Sequence, residues 1–202
     1  MYAVPKEILP AMPPGVYQFD GYDGNGQPSW GKIGGSNFTG VATGNWGVLS
    51  SASSGGDLWH YTGTPNQWEV IAPGAALDTV AIGKDTVYRR GQDWGIHRYD
   101  GFGTTWTALT GPLVGHAVAM NVGNWGFVYS DFDVKTMYRF VGDPGGWTWA
   151  PIGPHRPSFA VADDTVYAIS LDESTVYRYD GQGTSWTDIG GPTPSDWIVA
   201  CP

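Results

Sequence analysis

A single cysteine, Cys201, stands among 202 residues, so neither an internal disulfide nor a thiolate metal cluster can organise this chain. Basic residues are scarce too: ten Lys and Arg face 19 Asp and Glu, for a net charge of −9. With no basic cluster to offset it, this balance repels phosphate backbones and anionic membrane surfaces, and no nucleic-acid partner is expected. Nowhere do 18 apolar residues stand together, and the N-terminal MYAVPKEILPAMPPG has no basic n-region. The expectation is a soluble chain without membrane insertion or classical signal peptide, either cytoplasmic or non-classically secreted. Amphipathic helices are missing as well, since no window sustains apolar residues at i, i+3, i+4 and i+7.

Glycine, proline and aromatic residues are abundant instead. The 31 Gly and 15 Pro follow no collagen-like triplet, and 41% hydrophobic content with 11 Trp and 11 Tyr excludes a disordered chain. Much of this composition belongs to one recurring stretch, seen most clearly in Val176-Tyr177-Arg178-Tyr179-Asp180-Gly181 leading to Trp186 and Ile189. Earlier versions begin at Val16, Leu58, Ile96 and Met137 and lead to Trp30, Trp68, Trp106 and Trp149. The glycines that end them, Gly21, Gly63, Gly101, Gly142 and Gly181, stand 42, 38, 41 and 39 residues apart. Such a period marks a repeat architecture.

Two further apolar segments fall between each copy and the next. One carries a Val-Ala pair (Val41-Ala42, Val80-Ala81, Val118-Ala119, Val161-Ala162, Val199-Ala200), and the other is typified by Val166-Tyr167-Ala168-Ile169. All are short, rich in β-branched and aromatic residues, and bounded by turn formers, so each repeat holds four strands. The last repeat supplies Trp197-Ile198-Val199-Ala200 and stops, while Tyr2-Ala3-Val4 ahead of Tyr17 matches Tyr167-Ala168-Ile169. The expected fold is therefore all-β: a five-bladed β-propeller of four-stranded antiparallel blades, closed by a blade shared between the termini. Residues 1–202 are expected as one domain, with repeats at about 30–67, 68–105, 106–148 and 149–185, and 186–202 joined to 1–29. A β-sandwich gives no reason for five equivalent units, and an open solenoid calls for capping repeats that the sequence lacks.

Catalytic signatures are thin. Asp163-Asp164 is the obvious carboxylate pair of the kind a glycosidase needs, but it occupies a tight turn where Lys84-Asp85 and Asn45-Trp46 stand in other repeats. His60, His97, His116 and His155 lack metal-ligand spacing and read as strand or surface histidines, and no nucleophile elbow accompanies them. No enzyme activity, metal or cofactor is expected. Aromatic surplus remains. Trp30, Trp68, Trp106, Trp149 and Trp186 belong to the repeat as packing residues, whereas Trp46 and Trp125 stand in identical Gly-Asn-Trp-Gly turns and Trp94 in the Gly91–Gly95 loop. An indole on a polar, glycine-flanked turn either stacks on the C–H face of a sugar ring or caps the end of a sheet. In the Val176–Asp180 strand, period two sets Arg178 and Asp180 on one face. Arg98 with Asp100 repeats the pair, Gln18 with Asp20 is its neutral variant, and Arg139 stands without the Asp. Such pairs either grip vicinal hydroxyls or form salt bridges between neighbouring sheets.

The order Trp-x-x-Ile, Gly-Pro or Gly-Gly, Val-Ala, Val-Tyr-Ala-Ile, Val-Tyr-Arg-Tyr resembles the repeats of tectonins and tachylectin-like β-propeller lectins. The cleanest match runs from Trp149 to Trp186, and some version covers nearly the whole chain. The resemblance implies metal-independent, non-catalytic binding of cell-surface glycans at several sites on one ring, in defence or self/non-self recognition. The candidate carbohydrate-binding residues are thus Trp46, Trp94, Trp125, Arg98, Asp100, Arg139, Arg178, Asp180, Gln18 and Asp20. A protein-interaction propeller, with a peptide or protein lying across one face, is the alternative, and a glycoside hydrolase stands behind both.

Overall fold

The computed structural model describes residues 2–3, 15–35, 38–52, 56–74, 80–91, 95–109, 117–142, 148–191 and 198. The chain divides into two compact units, Met1–Asp78 with Asp100–Thr105, and Thr79–Tyr99 with Trp106–Pro202. In the first, β1 (Tyr2–Ala3), β2 (Val16–Tyr22) and β3 (Pro28–Gly34) form a three-stranded sheet, and β4 (Phe38–Gly44), β5 (Gly47–Ala52), β6 (Leu58–Tyr61) and β7 (Trp68–Ala72) a four-stranded one. The second holds three four-stranded sheets: β8 (Val80–Ile82) to β11 (Trp106–Leu109) through β9 (Val87–Arg90) and β10 (Ile96–Tyr99); β12 (Ala117–Gly123) to β15 (Trp149–Pro154) through β13 (Gly126–Asp131) and β14 (Thr136–Phe140); and β16 (Phe159–Val161) to β19 (Trp186–Gly190) through β17 (Val166–Ile169) and β18 (Val176–Tyr179). Every pairing is antiparallel between strands consecutive in sequence. Among the described residues no helix is long and apolar enough to cross a membrane.

These sheets differ in two ways from the expected repeats. Tyr2 and Ala3 pair with Gln18 and Tyr17 just as Tyr167 and Ala168 pair with Arg178 and Tyr177, so the N-terminal strand takes the anticipated place. Its sheet has only three described strands, however, and the fourth was expected from Trp197–Ala200, of which 197, 199 and 200 lie outside the described residues. The second difference is one of frame. Each Trp strand closes a sheet rather than opening one, because a tight turn ties it to the strand before: Asp180 N–H reaches Ser185 O at 3.0 Å and Ser185 N–H reaches Gln182 O at 3.3 Å. The repeats counted from Trp therefore straddle two sheets.

The strand-three aromatic and the strand-four Trp form one recurring pair. Phe19–Trp30, Tyr61–Trp68, Tyr99–Trp106, Phe140–Trp149 and Tyr179–Trp186 all lie 5.1–5.3 Å apart at tilts of 41–58°. This fixes the five repeat tryptophans as packing residues, since tilted rings at this separation gain beyond their buried area. Buried aliphatic residues fill the faces between sheets, among them Val16, Leu49, Leu58 and Ile71 in the first unit and Val128, Met137, Ile152 and Val166 in the second.

A bulge connects the sheets. Leu58 pairs with Ala72 but Trp59 with Val70, and the same slip occurs at Val16/Tyr17, Met137/Tyr138 and Val176/Tyr177. In each case the Ile of Trp-x-x-Ile (Ile33, Ile71, Ile152, Ile189) is the extra residue, freed from the ladder. Its carbonyl then serves the next sheet: Trp68 Nε1–H donates to Ile33 O at 2.8 Å, and Trp186 Nε1–H to Ile152 O at 2.6 Å. A glycine follows both isoleucines, and a Cβ on Gly153 would strike Trp186 Nε1. In β10–β11 no slip is seen, for Ile96 lies opposite Leu109, and the next sheet's Trp149 Nε1 is buried without a partner.

Gly153→Ala is expected to lower unfolding stability by about 1–3 kcal/mol through this clash, and Trp186→Phe, which removes the donor, by about 1 kcal/mol or more. Urea unfolding midpoints provide the measurement, and a midpoint unmoved in both variants contradicts the latch.

Candidate ligand clefts between the sheets

The turns joining the first two strands of each four-stranded sheet are Asn45-Trp46, Lys84-Asp85, Asn124-Trp125 and Asp163-Asp164. Gly44 pairs with Gly47 and Gly123 with Gly126 around the first and third of these, which places the second turn residue over its own sheet. There it meets the polar residue of strand three. The Trp46 ring lies 4.3 Å from that of His60, and the Arg139 guanidinium sits 3.7 Å from the Trp125 ring with its Nη2 donating to Trp125 O at 2.7 Å. Arg178 Nη2 approaches Asp164 Oδ2 at 3.3 Å. In the β8–β11 sheet, Asp85 and Arg98 both act on Tyr88, whose hydroxyl is raised above the ordinary tyrosine value mainly by burial, with Arg98 pulling it down and Asp85 pushing it up.

Arg178 and Asp180, set on one face by period two, take different partners: Asp180 Oδ1 accepts from Thr187 Oγ1 at 2.8 Å, while the Tyr167 hydroxyl and Asp164 hold the Arg178 guanidinium above its ordinary value. The Arg178 ion pair lies inside one sheet, not between sheets, because the register sets Tyr167 directly opposite it and the 163–164 turn next to it. Arg98 is exposed, and Asp100 closes its hairpin through a backbone bond to Thr105 O at 3.1 Å. Gln18 is half-buried between Tyr2 and Gly31, and the exposed Asp20 covers Gly31, where a Cβ would leave its carboxylate no room. Trp94 lies outside the described residues.

Neither described indole is fully exposed. Trp125 is half-buried and meets Tyr179 of the following sheet edge-on at 5.5 Å, while its backbone N–H donates to Ala162 O at 3.2 Å. Asn124 Nδ2 donates to Asp163 Oδ1 at 2.6 Å beside it. Burial draws the Arg139 guanidinium below its ordinary value, an effect that Tyr179 partly opposes. This cleft, between β12–β15 and β16–β19, is thus occupied by the protein itself.

The cleft between β8–β11 and β12–β15 holds a cavity of about 440 Å³. Lys84, Asp85 and Tyr88 line one side, and Asn124, Phe127 and Phe140 the other. Tyr88 and Phe127 stack on each other across the base of the cleft, 4.3 Å apart and within 9° of parallel, giving an apolar floor below a polar rim. No feature of the sequence singled out this cleft, although the Asp85/Trp125 alternation at one turn position was visible in it.

His155, expected on a strand or at the surface, is buried. Ser130 Oγ accepts the Arg156 N–H at 3.1 Å and shares a hydrogen bond of 2.7 Å with His155 Nδ1. Asp131, also buried, spends Oδ1 on the Asp133 and Val134 amides at 2.9 and 3.2 Å. Ser130 is 0% exposed and His155 6%, so this Ser–His pair offers a substrate no approach and serves as a structural link. Asp163 and Asp164 are each engaged by a neighbour, Asn124 and Arg178, as befits turn residues.

The sequence matches no family model and no curated protein. Among solved structures it is similar to one described as "YCF48 bound to D1 peptide", with a TM-score of 0.48 and 17% identity over 80% of this chain and 56% of that one. The chain thus spans a little over half of that neighbour's length.

Burial, with Lys135 next in weight, pulls the His155 imidazole below the ordinary histidine value. The unfolded chain therefore takes up this proton first. Stability present above about pH 6.5 is expected to fall as pH drops through 6.5 toward the lower folded-state value. NMR titration should place His155 below its unfolded value; a midpoint at or above 6.5 contradicts the buried, neutral assignment.

Proposed function

We propose that this chain is a non-catalytic carbohydrate-binding protein, built as a single five-bladed β-propeller over 1–202. A blade shared between the two ends of the chain closes the ring, and ligands enter clefts between neighbouring sheets. The observation that carries the reading is the cavity of about 440 Å³, within the size range of small-ligand pockets, that combines the stacked Tyr88 and Phe127 with Lys84, Asp85 and Asn124. A sugar ring presents C–H groups to the apolar floor and Phe140 of this cleft and hydroxyls to its carboxylate, ammonium and amide groups. Asp85 accepts and Lys84 donates, which suits a vicinal diol better than either a carboxylate or a phosphate ligand. Closed into a ring, weak clefts at fixed separation combine into avidity for a surface that displays many copies of a glycan.

Protein recognition is the second reading, favoured by a different surface. Phe132 and Leu171, 50% and 64% exposed, head corresponding turns between strands two and three in adjacent sheets, where apolar exposure suits a peptide or protein partner.

A glycan array followed by inhibition of agglutination with simple sugars tests the first reading. Binding is expected, with Asp85→Ala and Phe140→Ala each weakening it about tenfold, the worth of one good polar or aromatic contact. No glycan bound, with a protein partner lost on Phe132→Ser or Leu171→Ser, establishes the second reading instead. Release of sugar from chromogenic glycosides contradicts both.

A further inference from the structure

The two clefts of the second unit are built from corresponding parts, yet one is open and the other filled. The Lys84-Asp85 turn, closed by Gly83 N–H on Thr86 O, matches the Asn124-Trp125 turn, where Gly123 pairs with Gly126; Arg98 lies opposite Tyr88 as Arg139 lies opposite Val128, and Phe140 lies opposite Trp149 as Tyr179 lies opposite Trp186. In this register Asp85 corresponds to Trp125, Arg98 to Arg139, and Phe140 to Tyr179. Where Trp125 stands, its ring bridges Arg139 at 3.7 Å and Tyr179 at 5.5 Å, closing the gap. Where Asp85 stands, the side chain is too short to reach Phe140, and the cavity of about 440 Å³ lies between them. At the open cleft Trp149 Nε1 is buried without a hydrogen-bond partner, whereas at the filled cleft Trp186 Nε1 is latched to Ile152 O.

We propose that Trp125, held by Arg139, is a built-in plug that occupies the ligand position of its own cleft, so that only the cleft behind Asp85 binds ligand in this unit. The turn position 85/125 is then a switch that sets valency: a short acidic side chain gives an open site, an indole a closed one. That the occupant is a sugar rests on the function proposed above; that the indole is the plug does not.

Two reciprocal variants of the full chain test this. In crystal structures, Asp85→Trp is expected to seat its new indole between Arg98 and Phe140 and abolish the cavity, and Trp125→Asp to open a second cavity between Arg139 and Tyr179. Should Trp125→Asp not fold, Trp125→Leu, which keeps an apolar side chain but removes the ring, replaces it. Methyl glycosides of glucose, galactose, mannose and N-acetylglucosamine are then titrated against each protein and followed through backbone amide shifts. In the wild type, shifts are expected near Lys84 and Asn124 and not at Asp164 or Tyr179; they vanish in Asp85→Trp, and a second set appears around Tyr179 in Trp125→Asp. An indole at position 85 left in solvent beside a persisting cavity, or a cleft that stays closed after Trp125 is replaced, overturns the plug. So do wild-type shifts of equal size around both clefts. Cavities that close and open as expected while no glycoside shifts any amide leave the plug standing and refute the carbohydrate reading alone.

Discussion

One bond between an indole and a bulged backbone carbonyl governs how neighbouring sheets meet. The Ile of each Trp-x-x-Ile strand falls out of its own ladder at a register slip, and Ile33 O and Ile152 O then accept Trp68 Nε1–H and Trp186 Nε1–H from the sheet that follows. Two requirements are thereby met together. A half-buried indole donor finds the acceptor that burial demands, and a carbonyl displaced from its strand is not left unpaired. The glycine after the Ile removes the Cβ that would otherwise occupy the indole's place. The same Trp stacks against the strand-three aromatic of its own sheet, so one side chain fixes both the hairpin behind it and the sheet before it.

With the scaffold fixed by these repeated contacts, differences between clefts reduce to a few turn side chains. Trp46 over His60, Trp125 over Arg139 and Asp164 beside Arg178 are three solutions to one geometric relation, in which the second turn residue covers the polar group of strand three. Their chemistry ranges from ring stacking through cation–π contact to an exposed ion pair, and the last is worth little in water. The latch lies on strand four, and of the three only Trp125 touches it, through Tyr179, which packs on Trp186. At the 46 and 164 turns binding character can thus vary without reaching the framework.

Much of the framework was legible in the sequence because it rests on period and residue type. Strand segments, antiparallel order and even the pairing of Tyr2-Ala3 in the place of Tyr167-Ala168 follow from matching short apolar runs. The bulge was not legible, since an Ile three residues after a Trp has the same appearance whether it lies in the ladder or out of it. Period two correctly assigns Arg178 a face but cannot choose among Asp180, Asp164 and Tyr167, all of which that face brings near; register decides among them. Trp125 looks exposed on its glycine-flanked turn because what buries it, Tyr179, is contributed by a sheet more than fifty residues further on. His155 reads as an ordinary strand-end residue until Ser130, one sheet edge away, closes over it.

The latch has a consequence for how such a chain can grow. Its acceptor is a main-chain oxygen and its donor a side chain that every repeat already carries, so a copy of one repeat brings both halves of the joint with it. Duplication of a gene segment about forty codons long that carries the Trp-x-x-Ile bulge would insert a sheet able to join its neighbours through the same bond. Point substitutions at the turn could then diversify each copy independently, as Asp and Trp at positions 85 and 125 have done within this chain.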